Sequence, residues 1–267
     1  MDLKITSHRL RIIYWFLRRP KLYPQLMREL RSFMHRKAHP TLENCPEAEE
    51  WCKQQHLPID EAFASLFPNY KYYDVHERHG AVFDQASNLI DKQSFNWGGQ
   101  GNISLNYNLA QVLDAETVLE TGVAYGWSTL SILLSMNERR KGTLTSVDMP
   151  FLGVTNEEDI GCVIPDNLRE RWTFLPYADR EGIPKALKSF PYLDFCHYDS
   201  DKSYEGKSWA FPVLWEALKP KGILVSDDAS DNLAFKHFCD KLDMTPTIIH
   251  TFDTKAEKHV GILVKPE

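Results

Sequence analysis

The feature that most constrains this 267-residue chain is a regular alternation of short apolar runs and longer amphipathic stretches after about residue 102. Five runs have strand length and composition, namely TVLETG, TLTSVDMP, TFLPYAD, LDFCHYD and GILVSDD. Stretches of helical periodicity separate them, and the runs TPTIIHTFD and HVGILVK predict a closing hairpin. This alternation predicts an α/β fold with a doubly wound, mostly parallel seven-stranded sheet.

The first part of the chain lacks this alternation. Apolar residues recur at helical spacing between residues 22 and 33, so we expect a helical N-terminal appendage at 1–75 and the main domain at 76–267. Residues 1–37 carry ten Lys and Arg against two Asp and Glu, and since the chain has a net charge of −6, the remainder carries −14. A basic arm on an acidic body indicates an anionic or acidic partner.

Three interpretations of the basic arm follow. We favour a helical cap through which the chain forms a homo-oligomer, because the apolar stripe is substantial. Peripheral contact with an anionic membrane is the second interpretation. Binding to nucleic acid is disfavoured, because the acidic body would repel a phosphate backbone.

Composition excludes several other classes of protein. The five cysteines are odd in number and form no CxxC pair, so neither a disulfide framework nor a cysteine zinc site is predicted. The longest early apolar run, IIYWFL, is shorter than a membrane span or a typical signal-peptide core. We therefore expect a cytoplasmic protein.

A glycine turn follows the first strand of the sheet, in the stretch VLETGVAYGWST. Gly122 permits a tight turn close to a ligand, and Gly126 permits close packing at the start of the next helix. The spacing differs from the dinucleotide pattern GxGxxG. Asp148 ends the next strand, where a carboxylate typically accepts hydrogen bonds from ribose hydroxyls. These features predict a nucleoside-type ligand without a pyrophosphate.

The stretch ETGVAYGWST resembles the ExGxxxGxS motif of class I S-adenosylmethionine-dependent methyltransferases. Further segments follow in the order of that family: TLTSVDMP, LRERWTFL, HYDSDKSYEG, LKPKGILVSDDASDNLAF and HVGILVKP. The resemblance covers residues 94–264 and implies a Rossmann-like methyltransferase domain with S-adenosylmethionine (SAM) as cofactor. It implies these cofactor-site residues: Glu120, Thr121, Gly122, Gly126, Ser128, Asp148 and Asp179. Asp179 stands one position from the acidic residue that the family places near the adenine.

A second group of polar residues follows two later strands. Asp199 ends LDFCHYD, and Asp227 and Asp228 end GILVSDD. Three carboxylates converging at one edge of a sheet repel each other unless a cation neutralises them. Their oxygens suit a hard ion such as Mg²⁺, although Ca²⁺ and Mn²⁺ fit the same residue types.

These segments are similar to those of metal-dependent O-methyltransferases of the sugar, natural-product and catechol branches. The resemblance implies that Asp199, Asp227 and Asp228 are the metal ligands. The methyltransferase 24 family usually reads DSDHSYE where this chain reads DSDKSYE, and Lys202 is what the catechol-type enzymes carry. Lys202 and Asp201 are rival candidates for the catalytic base. A competing structural interpretation is that Asp227 and Asp228 cap the next helix while Asp201 and Lys202 form a solvated ion pair.

The predicted function is methyl transfer to a hydroxyl of a small polar acceptor, such as a sugar, a glycosylated natural product or a catechol-like phenol. Residues 94–108, including Trp97 and Gln100, are the candidate substrate wall, and the long connection at 150–166 is a candidate flap. A metal-independent class I methyltransferase and a non-catalytic SAM-binding protein are alternatives. A metal-using hydroxylase is disfavoured, because no set of two histidines and one carboxylate stands out.

Overall fold

The computed structural model describes residues 7–38, 45–91, 97–152, 157–190, 192–253 and 256–267. The helices are α1 (Ser7–Leu17), α2 (Tyr23–Ala38), α3 (Pro46–Lys53), α4 (Ile59–Leu66), α5 (Val75–Ile90), α6 (Ile103–Val112), α7 (Trp127–Arg139), α8 (Asp179–Leu187), α9 (Tyr204–Ala217) and α10 (Ala234–Leu242). The strands are β1 (His56–Leu57), β2 (Thr117–Thr121), β3 (Thr143–Val147), β4 (Trp172–Leu175), β5 (Leu193–Tyr198), β6 (Leu218–Ser226), β7 (Thr247–Asp253) and β8 (Ala256–Val264).

The strands form one sheet in the order β1-β7-β8-β6-β5-β2-β3-β4. Strand β8 runs antiparallel to both of its neighbours, and the other described pairs are parallel. The predicted α/β fold with a doubly wound, mostly parallel seven-stranded sheet is therefore confirmed. The two-residue strand β1 extends it to eight and was missed, because two residues carry no detectable periodicity.

Alternate residues of the central strands face opposite sides of the sheet, as the pleat requires. Val118 and Phe195 pack into one apolar cluster with helices α5, α6 and α7. Leu119 and Cys196 pack into a second cluster with α8, α9 and α10. Each large apolar side chain buried in these layers contributes about 1.5–3 kcal/mol. Helices on both faces fix the carboxyl ends of the parallel strands at one edge of the sheet.

The N-terminal segment contacts the main domain at several places. Phe63 of α4 is fully buried in the same cluster as Val118, and β1 pairs with β7. Trp15 and Phe16 of α1 are buried in a separate small cluster, with Met149 packed against it. The domain boundary near residue 75 stays a prediction. Strand β1 and Phe63 precede this boundary in the chain, yet they belong to the sheet and to its apolar core.

Among the helices in the described ranges, none combines the length and the apolar character that crossing a bilayer requires.

Candidate active site

A cavity of about 620 Å³ opens at the carboxyl edge of the parallel strands. The last residues of four neighbouring strands lie in register, namely Thr121, Val147, Tyr198 and Ser226. The residues that follow them are Gly122, Asp148, Asp199 and Asp227, and all four line the cavity. Ligands of open α/β sheets bind at this edge.

The glycine turn lies directly against the acidic strand end. Gly122 has a φ of +81°, and a Cβ placed on it would lie 2.1 Å from the backbone carbonyl oxygen of Asp199. No side chain fits there, so the position requires glycine on grounds of both conformation and space. The turn after β2 and the end of β5 are thus held in contact.

Asp148 secures the same turn from the next strand. Its Oδ2 accepts hydrogen bonds from the backbone N–H groups of Val123 at 2.7 Å and Ala124 at 3.0 Å. Burial raises the pKa of Asp148 to about 6, although the two hydrogen bonds oppose this shift. The carboxyl group faces the cavity, and its predicted role toward a ribose stays a prediction.

Glu120 lies behind the cavity wall rather than on it. The side chain is fully buried and accepts hydrogen bonds from the hydroxyls of Ser128 at 2.5 Å, Thr129 at 2.6 Å and Ser146 at 2.7 Å. These donors belong to α7 and β3, so Glu120 ties the helix to the sheet beneath the turn. Ser128 itself lines the cavity.

Two other residues predicted at the cofactor site also support the turn from behind. The hydroxyl of Thr121 accepts a hydrogen bond from Ser200 at 2.9 Å. Gly126 starts α7 with a φ of +96°, and a Cβ there would lie 3.0 Å from Cα of Gly161. Glu120, Thr121 and Gly126 are not among the described residues that line the cavity.

Asp179 lines the cavity at the first residue of α8. Its Oδ2 accepts hydrogen bonds from the hydroxyls of Tyr198 at 2.9 Å and Ser200 at 2.6 Å. Burial raises its pKa, and the two hydrogen bonds oppose that effect. The structure therefore brings Asp179 to the same cavity as Gly122, Ser128 and Asp148.

The three predicted metal ligands converge. Asp199, Asp227 and Asp228 each offer a carboxylate oxygen, and these oxygens lie within 4.8 Å of one another. Burial, followed by the negative charge of Asp227, raises the pKa of Asp199 well above its usual value. Nδ2 of Asn102 donates a hydrogen bond to Oδ1 of Asp227 at 3.0 Å and orients that carboxylate.

Two lysine side chains partly neutralise the negative charge of these carboxylates. Lys202 donates a short hydrogen bond to Oδ2 of Asp228, and its Nζ lies 3.6 Å from Oδ1 of Asp199. Nζ of Lys258, on β8, lies 3.0 Å from Oδ1 of Asp228. Burial lowers the pKa of Lys202, but Asp199 and Asp228 more than offset it, and the pKa is raised overall. Lys202 thus carries its proton as long as these carboxylates are ionised.

The Asp201 carboxylate lies at the start of α9, apart from the carboxylate cluster. Its Oδ1 accepts the backbone N–H of Ser203 at 3.0 Å, and a Cβ on Gly206 would lie 2.2 Å from its Cγ. The carboxylate therefore packs against the first turn of α9, although the residue also lines the cavity. The interpretation of Asp201 and Lys202 as an ion pair is wrong, because the partners of Lys202 are Asp228 and Asp199.

The suggestion that Asp227 and Asp228 cap the next helix is also wrong. Oδ1 of Asn232 accepts the backbone N–H of Ala234 at the start of α10, at 3.1 Å. Asp228 has a φ of +51°, a conformation that asparagine and aspartate adopt more readily than other non-glycine residues. This backbone conformation lies within the turn that presents the carboxylate cluster.

Sequence reasoning missed several residues of the site. Lys258 was missed, and so was Lys207, a buried lysine whose Nζ donates to the backbone carbonyl of Asp228 at 2.7 Å. Asn102 falls within the predicted substrate wall, but its contact with Asp227 was not predicted. Gln25, Arg28 and Glu29 of α2 also line the cavity. Lys258 lies on β8 and reaches Asp228 through the pairing of β8 with β6, which no local sequence pattern indicates.

The predicted substrate wall reaches the cavity through Trp97 and residues 98–102. The Trp97 ring stacks on Tyr125 at 5.1 Å and on Phe151 at 5.0 Å between ring centroids. Phe151 belongs to the predicted flap at 150–166, of which residues 153–156 lie outside the described residues. Residues 94–96 of the predicted wall also lie outside them. His197 of β5 is 4% exposed and borders the cavity.

The sheet order with one reversed strand, the glycine turn after β2 and the acidic residue after β3 define a class I methyltransferase fold. Residues 119–229 match the methyltransferase 24 family model, which is described as a methyltransferase domain. This match, together with the fold, supports a SAM-dependent methyltransferase, as the sequence motifs predict.

Solved structures with a similar fold include two O-methyltransferases. One is from Bacillus cereus, in complex with SAH; it has a TM-score of 0.52 and 14% identity, and the match covers 80% of this chain and 100% of that one. The other is TomG from Streptomyces achromogenes, involved in tomaymycin synthesis and in complex with SAM. It has a TM-score of 0.52 and 18% identity, with 83% and 99% coverage. No curated protein matched the chain in sequence.

Proposed function

We propose that the protein is a SAM- and divalent-metal-dependent O-methyltransferase that methylates a hydroxyl of a small polar acceptor. The acceptor classes are a sugar, a glycosylated natural product or a catechol-like phenol. The observation that carries the proposal is the convergence of Asp199, Asp227 and Asp228 in the cavity that the glycine turn also lines. A methyl donor in the turn and a hydroxyl at the carboxylates would be neighbours.

The SAM site is proposed at Gly122, Ser128, Asp148 and Asp179, which line one side of the cavity. Asp148 is proposed to receive the ribose hydroxyls, and Asp179 is proposed to lie at the adenine end. Carboxylates outnumber cationic groups along the described lining, and this electrostatic balance favours a sulfonium cation. Glu120, Thr121 and Gly126 are proposed to hold the turn in shape from behind.

The carboxylate cluster fits a hard divalent cation such as Mg²⁺. Asp199, Asp227 and Asp228 would hold it, with Asn102 orienting Asp227. The raised pKa of Asp199 is consistent with this assignment, because it reflects burial of the carboxylate and then the negative charge of Asp227. A cation bound there would neutralise the cluster and stabilise the deprotonated form of an acceptor hydroxyl.

For the base, the geometry supports Lys202 over Asp201. Nζ of Lys202 lies within the carboxylate cluster, whereas the Asp201 carboxylate packs against the start of α9. Asp199 and Asp228 are what raise the pKa of Lys202, so neutralising them leaves burial as the dominant effect, and burial lowers that pKa. In its neutral form, Nζ would accept the hydroxyl proton.

The proposed methyl transfer is a nucleophilic substitution at the methyl carbon. The acceptor oxygen forms a bond to the methyl carbon while the bond between that carbon and the sulfonium sulfur breaks. The proton of the hydroxyl goes to Nζ of Lys202, and S-adenosylhomocysteine leaves. The contribution of the remaining residues is to position the oxygen and the methyl group in line. The stacked rings of Trp97 and Phe151 offer a flat wall for a ring-shaped acceptor.

One observation favours a metal-independent methyltransferase as the second candidate. Lys202 and Lys258 both contact Asp228, so two ammonium groups already compensate part of the carboxylate charge. In that case the lysines would fill the electrostatic role of the cation. The same residues could then serve a SAM-binding protein without catalysis.

Calorimetry and turnover assays separate these possibilities. We expect SAM to bind the purified full chain, and an acceptor panel of sugars and catechols to yield S-adenosylhomocysteine in the presence of Mg²⁺. Failure to bind SAM would contradict the methyltransferase proposal. Turnover that is unchanged by EDTA would contradict only the metal requirement. SAM binding without turnover on any acceptor would support the non-catalytic alternative.

We also propose that the N-terminal helices mediate a homo-oligomer. Exposed apolar side chains on α1 and α2 include Leu10, Tyr14, Leu17, Met27 and Leu30. The basic arm and the acidic body give two copies complementary charge. A role in natural-product biosynthesis and a cytoplasmic location stay predictions.

A further inference from the structure

A second group of metal-ligating side chains lies on the edge strands of the sheet. It consists of His56 on β1, His250 on β7, and Glu257 and His259 on β8. His250 lies directly opposite His259 in the antiparallel pair, and His56 pairs with Ile248, two residues before His250. Residues two apart on a strand face the same side of a sheet, so register places all these side chains on one face.

The donor atoms of three of these residues are already close together. Nδ1 of His56 lies 3.0 Å from Nε2 of His259. A carboxylate oxygen of Glu257 and one ring nitrogen of each of these two histidines lie within 4.8 Å of one another. Two nitrogens bound to one tetrahedral Zn²⁺, with bonds of about 2.0–2.1 Å, lie roughly 3.3 Å apart. Small side-chain shifts would therefore bring the three donors around a single ion.

His259 is oriented as metal-binding histidines usually are. The side chain is 1% exposed, and its Nδ1 lies 3.2 Å from the hydroxyl of Ser230. A polar partner on the second ring nitrogen fixes the tautomer and leaves the first nitrogen free to coordinate.

His250 lies beside this group. Its Nε2 lies 2.9 Å from Oε1 of Glu257. The His250 ring stacks on the His56 ring, with centroids 4.6 Å apart.

We propose that His56, His259 and Glu257 form a binding site for a borderline transition-metal ion of the Zn²⁺ class. His250 lies beside Glu257 as a further ligand or as its partner. Imidazole nitrogens with one carboxylate suit Zn²⁺, Ni²⁺ or Cu²⁺, whereas the all-carboxylate cluster at the cavity suits Mg²⁺. The two sites thus differ in chemical hardness, and the inference does not depend on the proposed methyl transfer.

The ion would connect the N-terminal segment to the catalytic sheet. His56 belongs to the two-residue edge strand, so coordination would fasten β1 to the β7–β8 hairpin. Ser230 and the backbone N–H of Ala229, which donates to the carbonyl of His259 at 2.8 Å, belong to the turn that carries Asp227 and Asp228. Occupation of the histidine site would therefore also steady the turn that presents the carboxylates.

Two contacts compete with an ion. The two imidazoles at 3.0 Å can share a hydrogen bond, and Nζ of Lys53 lies 3.5 Å from Oε2 of Glu257. Both lysine and carboxylate are substantially exposed, and ion pairs of this kind contribute about 0–1 kcal/mol. A divalent ion would displace this contact at small cost.

The test is a Co²⁺ titration of the full chain in a large excess of Mg²⁺, which occupies the hard site. We expect visible absorption bands of a nitrogen-ligated Co²⁺ ion, which saturate at one equivalent and are displaced by Zn²⁺. His56→Ala and Glu257→Gln should each weaken Co²⁺ binding by more than about tenfold. Loss of a group that only orients a metal ligand already weakens metal binding by about 10- to 100-fold, and loss of a ligand itself should cost at least as much. The matched control His237→Ala removes a histidine outside the cluster and should leave binding unchanged.

A second measurement covers the case in which a variant fails to fold. X-ray absorption of the Zn²⁺-loaded wild-type chain should show at least two imidazole ligands. Absence of saturable binding, an oxygen-only coordination sphere, or equal binding by folded His56→Ala and His237→Ala would overturn the proposal. Loss of SAM binding or methyl transfer would have no bearing on it, so failure of the two proposals can be told apart.

Discussion

At the scale of single residues, the site depends on carboxylates that differ mainly in their neighbours. Glu120 is sealed in the sheet among three hydroxyl donors, Asp148 accepts two backbone N–H groups, and Asp199 faces other carboxylates. The same functional group therefore supports the fold in one place and creates an electrostatic cost in another. Such unfavourable concentrations of charge are typical of functional sites.

Removing the proposed base should abolish turnover without affecting cofactor binding. Lys202→Ala is expected to lower kcat by roughly 10²- to 10⁴-fold, the usual range for a general base. The Kd for SAM, measured by calorimetry, should stay near the wild-type value. Asp201→Asn serves as the neighbouring control and should retain most of the activity. Wild-type kcat in Lys202→Ala would show that another group takes the proton.

Glu120→Gln should destabilise the fold. A hydrogen bond to a charged group contributes about 1.5–3 kcal/mol, and Glu120 accepts three, so a loss of at least about 2 kcal/mol is expected in urea unfolding. Glu116→Gln is the matched control, because the Glu116 side chain is 60% exposed. Equal unfolding free energies for the two variants would contradict a structural role for Glu120.

Asp148 should make stability depend on pH. Its pKa is about 6 in the folded protein against 3.8 for an unperturbed aspartate, so the folded state binds more protons between these values. The free energy of unfolding should therefore fall as the pH rises from about 4 to about 6, by an amount on the order of 2–3 kcal/mol. Asp148→Asn should remove this component in unfolding curves recorded across that range. An unchanged pH profile would argue against the raised pKa.

At the scale of elements, the connection from β2 to α7 determines the shape of the cavity. Its turn approaches the end of β5 so closely that the backbone carbonyl of Asp199 occupies the space of a Gly122 side chain. The positions of the donor site and the carboxylate cluster are therefore coupled through two strand ends. A change in this connection should affect both.

Gly122→Ala is expected to weaken SAM binding and to lower stability. The new Cβ would lie 2.1 Å from a carbonyl oxygen at a positive φ, so the turn and β5 must separate. Calorimetry with SAM and thermal unfolding measure the two effects. Gly80→Ala is the control, because no atom lies within 4 Å of its Cβ and alanine favours the surrounding helix α5. Wild-type SAM affinity in Gly122→Ala would contradict the proposed donor site.

At the scale of the whole molecule, the N-terminal helices contribute to the cavity and also leave an apolar outer surface. Gln25, Arg28 and Glu29 of α2 line the cavity, and Nη1 of Arg28 donates to Oε1 of Glu181 on α8 at 2.8 Å. Met27 and Leu30 of the same helix are 65% and 52% exposed. One helix thus links the site to the surface through which we propose self-association.

The double variant Met27→Glu/Leu30→Glu should shift the protein toward the monomer. Two carboxylates would replace apolar contact area at the proposed interface, where unpaired charge is strongly disfavoured. Light scattering coupled to gel filtration measures the mass directly. Leu89→Glu is the control, since Leu89 is 47% exposed on α5 and lies outside the appendage. A monomeric wild-type chain, or an oligomer unaffected by the double variant, would exclude this interface.

The sequence by itself determined the elements of the sheet and the polar residues at their ends. Periodicity is a local property, so the alternating strands and helices, the glycine turn and Asp148, Asp199 and Asp227 could be placed from residue order alone. The sequence did not predict the two-residue strand β1, because this strand is defined only by its pairing with β7.

Only the tertiary structure decided which side chains meet. It placed Glu120 behind the cavity, brought Lys258 from the antiparallel strand β8 to Asp228, and gathered His56, Glu257 and His259 on one face. These outcomes depend on strand order and register, which join residues up to about two hundred positions apart. A one-residue change in register turns a side chain to the opposite face, so local pattern could not supply this information.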